Sequence, residues 1–236
     1  MQLDKELIKK NFKKSFLTYE DNAFAQKESA KVLIDQIKSR YFKNILEIGS
    51  YSGYLTNLAI DNLNCAKYVA LDIVEESEFA VKKINPKIEF YNCDIENFQS
   101  ESKFDLILSN ASLQWCNSFE NTVKKIKSLL SVEGMCALSI FQKGNLKEIK
   151  EIFGIGLNYP TLSEIKKMFS YGAKIIELDK TIKFPNGLEA IKHLKKTGVN
   201  SLKKNGLPIS EFKAGLEILE KKYNNQITYK SVIIID

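Results

Sequence analysis

Short apolar runs alternate with amphipathic segments through the middle of the chain. Each run is four to six residues long, which is typical of a buried strand, and the segments between them have helical spacing. Strands are predicted over residues 44–48, 68–72, 88–91, 104–109 and 136–141, and helices over 54–63, 75–84 and 119–130. This alternation predicts an α/β fold, in which a parallel sheet carries helices on both faces.

The start of the chain has a different pattern. Ile8, Phe12 and Phe16 recur at a spacing of four, which predicts an amphipathic helix over residues 4–18. A second helix is predicted over residues 22–40.

The last third predicts a smaller group of elements. They are helices over 161–171, 187–197 and 210–223, a strand within 173–184 and a final strand over 227–235. We therefore expect a single domain over residues 1–236. It would have N-terminal helices in 1–40, a ligand-binding core in 41–141, and a helical lid, 187–223, inserted before the last strand.

The stretch from Ile45 to Gly53 predicts a strand, a tight turn and the start of a helix. Its glycines, Gly49 and Gly53, suit a turn in which the backbone must approach a ligand closely. Ligands of open α/β sheets bind at the carboxyl ends of the strands, where this turn lies. Glu47 stands just before the turn, and its carboxylate favours a cationic ligand over a pyrophosphate. S-adenosylmethionine (SAM), which carries a sulfonium and an ammonium but no phosphate, is a ligand of this kind.

Three further strand ends carry residues that suit SAM. Asp72 can accept both hydrogen bonds of a ribose diol, and Asp94 can accept the adenine amino proton while Ile95 packs on the ring. Asn110 follows the fourth strand, beside the expected sulfonium. The predicted cofactor site comprises Tyr19, Gln26, Glu47, Gly49, Ser50, Gly53, Asp72, Ile73, Asp94, Ile95 and Asn110.

Composition narrows the class of protein. The 236 residues are 44% hydrophobic and 27% charged, as in ordinary globular domains, and no apolar run is long enough to span a membrane. The N-terminus lacks the apolar segment of a secretory signal. We expect a cytoplasmic monomer that binds neither membranes nor nucleic acid.

The cysteines and the single histidine disfavour several kinds of site. Cys65, Cys93, Cys116 and Cys136 lie far apart without a C-x-x-C pair, which is typical of reduced, buried thiols. His193 is the only histidine, so a His-rich metal site is excluded and a His-based catalytic triad is disfavoured. No metal is expected.

Positive charge is concentrated towards the C-terminus. Residues 142–222 hold 16 lysines against 9 acidic residues, a net charge of +7, whereas the rest of the chain has a net charge of −1. Two interpretations stay open: a solvated lysine-rich surface, or a docking face for an acidic partner.

Several motifs resemble one family, the malonyl-[acyl-carrier protein] O-methyltransferases of biotin synthesis. The most specific are S-N-A-S-L-Q-W-C at 109–116 and H-L-K-K-T-G-V-N at 193–200, with further matches at 12–26, 93–96, 144–148 and 159–165. The glycine-rich turn is similar to motif I of the class I SAM-dependent methyltransferases, E/D-x-G-x-G-x-G. It departs from that motif at Tyr51, which replaces the middle glycine, and arginine is scarce.

The resemblance implies a Rossmann-like class I methyltransferase sheet of seven strands, the last antiparallel. It implies methyl transfer from SAM, giving S-adenosylhomocysteine, to the free carboxylate of malonyl-acyl carrier protein. That carboxylate is already ionised at neutral pH, so no general base is required. Tyr19 would lie over the methyl donor and Trp115 would wall the acceptor channel. The carrier protein would dock on Lys192, Lys195, Lys196, Lys203 and Lys204.

Three alternatives stay open on sequence alone. A methyltransferase of another small carboxylate or of a quinone ring would share the glycine turn and Asp72. A nucleic-acid methyltransferase is permitted by the basic charge, but its [DN]-P-P-[FY] motif is missing after the fourth strand, where residues 109–112 are S-N-A-S. The third alternative is a SAM-binding module without catalytic activity.

Overall fold

The computed structural model describes residues 2–199 and 208–236, and its centre is one sheet of seven strands. The strands are β1 Tyr41–Ile48, β2 Asn64–Asp72, β3 Glu89–Asn92, β4 Phe104–Asn110, β5 Leu130–Phe141, β6 Lys174–Lys183 and β7 Gln226–Ile235. Their order is β3-β2-β1-β4-β5-β7-β6, and β7 is antiparallel to both of its neighbours while β1 to β5 are parallel. The predicted sheet, with its antiparallel last strand, is confirmed.

Ten α-helices belong to the described residues. They are α1 Lys5–Ser15, α2 Tyr19–Asn22, α3 Phe24–Asp35, α4 Tyr54–Asn62, α5 Ser77–Ile84, α6 Phe119–Leu129, α7 Lys147–Phe153, α8 Leu162–Lys167, α9 Gly187–Lys196 and α10 Ile209–Tyr223. A single 3₁₀ turn covers Leu113–Trp115. Helices α9 and α10 lie between β6 and β7 in the chain, as predicted for the inserted helices.

The two faces of the sheet carry separate apolar cores, because successive strand residues point to opposite sides. Ile45 of β1 packs with Leu33 and Leu55 on the face covered by α3, α4 and α5. Leu46 packs on the other face with Ile126 of α6. A third cluster joins β7 to helices α7, α9 and α10. This third cluster fixes the inserted helices to the sheet, so they are an integral part of the fold.

Element boundaries differ from the sequence prediction where apolar spacing gives little signal. The helix predicted over 22–40 is instead α2 and α3, and α3 ends at Asp35. Strands β2 and β5 begin earlier than predicted, at Asn64 and Leu130, because backbone pairing extends them through polar residues. Helix α7 was not predicted, since two turns of helix are too short for a clear period.

The described parts of the chain contain no helix that is both long and apolar enough to cross a membrane. The four cysteines are unpaired; only Cys136 is buried, and the other three are partly buried, contrary to the expectation that all four are buried.

Candidate active site

The turn after β1 has the backbone that its glycines predict. Gly49 and Gly53 have φ angles of +78° and +81°, a region that favours glycine. A Cβ atom on Gly49 would lie 2.5 Å from the Cβ of Ser112, so the loop after β4 closes directly on this glycine. The turn is therefore fixed both by its own conformation and by a neighbouring loop at the carboxyl edge of the sheet.

Tyr51 occupies the position of the missing motif glycine and retains a positive φ of +39°. For a residue with a Cβ atom this conformation costs of the order of 1 kcal/mol. The side chain offsets that cost, because its hydroxyl donates to the Phe12 carbonyl at 2.6 Å and lies 3.0 Å from the Ser15 hydroxyl. Its ring also meets Phe12, Phe16 and Tyr19 edge-on. Tyr51 thus ties the N-terminal helices to the glycine turn.

A cleft of about 660 Å³, here called the strand-end cleft, opens above this turn. It collects eight residues of the predicted site from five separate parts of the chain. Those eight are Tyr19, Gly49, Asp72, Ile73, Asp94, Ile95, Asn110 and Trp115. Lys5, Ile8 and Phe12 of α1 also line it, so the N-terminal helix forms one wall.

Asp72, at the end of β2, is held by two backbone donors. Its Oδ2 accepts from the Tyr51 amide at 2.9 Å and its Oδ1 from the Val74 amide at 2.7 Å. Burial raises the pKa of this carboxyl to about 6, and the backbone hydrogen bonds limit the rise. Each carboxylate oxygen has a second lone pair, so Asp72 keeps the capacity to accept from a ligand diol.

Asp94, after β3, pairs with a lysine from the N-terminal helix. Lys5 Nζ lies 2.7 Å from Asp94 and 2.8 Å from Glu96, and it also donates to the Trp115 carbonyl at 2.8 Å. Burial would lower the Lys5 pKa, but the hydrogen bonds to Asp94 and Glu96 raise it above its ordinary value. Asp94, Glu96 and Cys116 are close enough to share a cation, and the Lys5 ammonium already bonds both carboxylates.

Asn110, at the end of β4, is locked to α3. Its side-chain amide donates to the Gln26 carbonyl at 2.9 Å, and its Oδ1 accepts from the Ser29 hydroxyl at 2.7 Å. The ends of the strands therefore form the floor of the strand-end cleft, and α3 fixes the orientation of the Asn110 side chain.

Four predicted cofactor residues lie outside the lining of the strand-end cleft: Gln26, which lines a neighbouring pocket described below, and Glu47, Ser50 and Gly53. Glu47 is fully buried, and its Oε2 accepts from Thr56 and Tyr68 at 2.6 and 2.7 Å. Ser50 is buried in the turn, and Gly53 begins α4. Glu47 thus bonds the sheet to α4, and direct cofactor contacts of all four residues stay predictions.

Glu47 predicts a pH dependence of stability. Burial raises its pKa from 4.5 to about 7, although the hydrogen bonds from Thr56 and Tyr68 lower it. Between those two values the unfolded chain releases a proton that the folded protein keeps, so stability falls as pH rises. Glu47→Gln cannot ionise and should gain about 1–3 kcal/mol relative to the wild type between pH 5 and pH 8. Urea unfolding at both pH values measures this.

The exposed Glu101→Gln is the control for that measurement and should follow the wild type at both pH values. An equal stability difference between Glu47→Gln and the wild type at pH 5 and pH 8 would contradict the assignment.

A second pocket, here called the aromatic pocket, has about 350 Å³ of empty space and lies beside the strand-end cleft. The two share Phe12, Tyr19, Ala111 and Trp115 as a common wall. The other residues lining the aromatic pocket are Gln26, Gln114, Phe141, Asn145, Leu146, Tyr159, Thr197, Val199 and Tyr229. Tyr19 and Trp115 therefore lie between two adjoining cavities, and Gln26 belongs to the second.

Sequence reasoning missed most of the aromatic pocket. Tyr159 and Tyr229 come from a loop and from β7, and burial raises the pKa of each hydroxyl, that of Tyr159 to about 12. Asn145 belongs to a turn whose sequence matches one of the family's motifs, but nothing in that sequence indicated that the Asn145 side chain lines a cavity. His193 lies 2.8 Å from the Tyr229 hydroxyl, and burial lowers its pKa to about 4. It is a neutral packing residue.

The predicted docking lysines are only partly described. Lys192 forms an ion pair with Glu189 at 2.7 Å, whereas Lys195 and Lys196 are exposed at the end of α9. Lys203 and Lys204 lie outside the described residues.

Comparisons with known proteins agree with this geometry. A family model described as a methyltransferase domain matches residues 46–138. The YcgJ protein of Bacillus subtilis has a similar structure, with a TM-score of 0.65 and 14% identity over 88% of this chain and 97% of that one. The fold is that of a methyltransferase domain, with the strand-end cleft where such sheets bind ligands.

Curated relatives define the family. The chain is 33% identical to the malonyl-[acyl-carrier protein] O-methyltransferase of Calditerrivibrio nitroreducens, over 83% of this chain and 80% of that protein. It is 30% identical to the enzyme of the same name from Chlorobium luteolum, over 84% and 81% of the two chains. The chain belongs to the malonyl-[acyl-carrier protein] O-methyltransferase family, as its motifs predicted.

Proposed function

We propose that this protein transfers a methyl group from SAM to the free carboxylate of a malonyl group held by an acyl carrier protein. The observation that carries the proposal is the pair of adjoining cavities with Tyr19 and Trp115 between them. The strand-end cleft would hold SAM and the aromatic pocket would hold the acyl group. The product would be the malonyl methyl ester that serves biotin synthesis, and the unpaired thiols suit a cytoplasmic setting.

The residues of the strand-end cleft fit SAM. Asp72 would accept from the ribose hydroxyls, and Asp94 with Ile95 would hold the adenine once Lys5 shares the carboxylate. Asn110 lies on the side of the cleft towards the aromatic pocket, through its neighbour Ala111. SAM supplies an electrophilic methyl group on a sulfonium, and the turn around Gly49 leaves room for the methionine part.

This reaction requires the protein to align the acceptor carboxylate with the methyl group and to exclude water from the site. The acceptor oxygen forms a bond to the methyl carbon as the carbon–sulfur bond breaks, and the positive and negative charges of the reactants cancel. Among the described residues that line the aromatic pocket, none is a carboxylate, histidine or lysine. Its tyrosines keep their protons at neutral pH, since desolvation raises the pKa of Tyr19 and Tyr159. An unpaired carboxylate in such a pocket is desolvated and stays nucleophilic.

The test is a comparison of acceptors with the intact enzyme. Malonyl-carrier protein should be methylated, whereas acetyl-carrier protein, which lacks the free carboxylate, should not. Free aconitate, a quinone precursor and DNA represent the alternative substrate classes. Faster methylation of any of these than of malonyl-carrier protein would reject the proposal, and SAM binding without methyl transfer to any acceptor would favour a binding module.

Docking of the carrier on α9 gives a further prediction. The exposed Lys195 and Lys196 would steer an acidic partner through interactions that salt screens over about 8 Å. Replacing both by Glu should raise KM for malonyl-carrier protein about tenfold and leave a short malonyl thioester unaffected. Steady-state kinetics with both acceptors measures this, and higher ionic strength should raise the same KM. Equal losses on both acceptors would show that these lysines act on folding or on the acyl group.

A further inference from the structure

A third cavity lies beside the aromatic pocket. This lysine groove holds about 1060 Å³ of empty space and shares Asn145 and Tyr159 with the aromatic pocket. The groove, the aromatic pocket and the strand-end cleft therefore follow one another, each sharing wall residues with the next. The sequence analysis did not predict a groove at this place.

Three lysines line the groove and are available for an anion. Lys143, Lys147 and Lys150 are exposed there, and none forms an ion pair with a described residue. Lys150 makes one long hydrogen bond, 3.4 Å, to Asn158 Oδ1. Lysines therefore outnumber acids among the residues that line this groove.

The two acids of the groove are already engaged. Glu151 pairs with Lys222 and accepts from the Tyr223 hydroxyl, and these contacts lower its pKa. Glu164 closes the capping box of α8, where it accepts from the Thr161 amide and hydroxyl at 2.7 Å each. Lys143 also acts on Glu164 and Lys147 on Glu151, and both lysines lower the pKa of the acid concerned. With Glu151 also paired to Lys222, the three lysines leave the groove with an excess of positive charge.

The turn before α7 and α7 itself, which carry these lysines, are hydrogen-bonded to β7. The Leu146 amide donates to the Thr228 carbonyl at 2.8 Å, and the buried Glu148 carboxylate accepts from the Thr228 amide and hydroxyl at 3.0 and 2.6 Å. Asn145 Oδ1 accepts from the Lys230 amide at 3.2 Å. β7 therefore fixes the backbone from which the three lysines extend, relative to the aromatic pocket.

We propose that the lysine groove binds the phosphate of the phosphopantetheine arm that carries the malonyl group, with the arm passing Asn145 and Tyr159 into the aromatic pocket. This inference rests on the proposed function. A carrier protein joins its thioester arm through a phosphodiester, so an anion must lie at the outer end of the arm when the acyl group is inside. Lysines bind phosphate as point charges, and three of them around one groove match that need.

Calorimetric titration with two probes tests this, malonyl-phosphopantetheine and malonyl-pantetheine, which differ only in the phosphate. The wild type should bind the phosphorylated probe about tenfold more tightly. Replacing Lys143, Lys147 and Lys150 by Ala should abolish the difference and leave affinity for malonyl-pantetheine unchanged. The control variant replaces Lys192, Lys195 and Lys196 by Ala, removes the same charge from α9, and should keep the difference.

Equal affinity of the wild type for both probes, or a preference that survives in the groove variant, would overturn the inference. Loss of the preference in the α9 control alone would move the phosphate site to α9 and also overturn it. Because the readout is binding, it is independent of turnover. Failure of methyl transfer to malonyl-carrier protein would reject the proposed function. The difference in affinity between the two probes tests the lysine groove separately.

Discussion

Deleting residues 1–20 should abolish turnover while the circular dichroism spectrum is largely preserved. The segment supplies Lys5, Ile8, Phe12 and Tyr19 to the wall of the strand-end cleft, and no strand of the sheet. Without it the cleft would open to water and the acceptor would lose one side of its alignment. Since misplacement of reacting groups by about 1 Å can cost a hundredfold, we expect kcat/KM to fall by about a hundredfold or more.

A point variant distinguishes the effect of a disturbed cleft wall from the effect of removing the whole N-terminal segment. Tyr51→Phe removes the hydroxyl that holds α1 through the Phe12 carbonyl and Ser15. It should leave the fold intact and lower kcat/KM by a smaller factor than the deletion. A truncated enzyme that methylates at the full rate would show that the N-terminal helices are not part of the active site.

Asp72→Ala should weaken SAM binding by about 10- to 100-fold. Hydrogen bonds to charged groups contribute about 1.5–3 kcal/mol, and each 1.4 kcal/mol is a factor of ten in affinity. The same change also releases the amides of Tyr51 and Val74, which would loosen the glycine turn. Isothermal titration calorimetry with SAM gives the affinity directly.

Two matched variants show whether a loss of SAM affinity in Asp72→Ala comes from the carboxylate itself. Asp72→Asn keeps one carbonyl oxygen for a backbone amide and should lose less affinity than Asp72→Ala. Asp61→Ala removes an exposed acid of α4, whose side chain accepts from Asn57 at 2.9 Å, and should bind SAM as the wild type does. Unchanged affinity of Asp72→Ala would remove Asp72 from the ribose site.

The sequence was most informative where a residue ends a strand. Asp72, Asp94 and Asn110 could be placed at one edge because parallel strands bring their carboxyl ends together, and the structure lines one cleft with them. Glu47 shows the limit of that reasoning. It precedes the turn as the motif requires, yet strand alternation points it to the face of Ile45, where Thr56 and Tyr68 hold it.

The aromatic pocket and the lysine groove could not be predicted in the same way. Tyr159 and Tyr229 are far apart in the chain and come together only because β7 returns antiparallel to β5. Lysine is in excess over residues 142–222 as a whole, but no pattern in the sequence indicates that Lys143 lines a cavity. Which lysines face a cavity depends on how the loop before α7 is bonded to β7, and that is a tertiary property.

The central claim is tested most directly by following a labelled methyl group from SAM to malonyl-carrier protein, with heat-inactivated enzyme as the control. The claim predicts that the label appears on the carrier as a methyl ester of the malonyl carboxylate, released by mild base, and that acetyl-carrier protein acquires none. Label on another acceptor at a greater rate, or no label on malonyl-carrier protein when SAM binds normally, would contradict it.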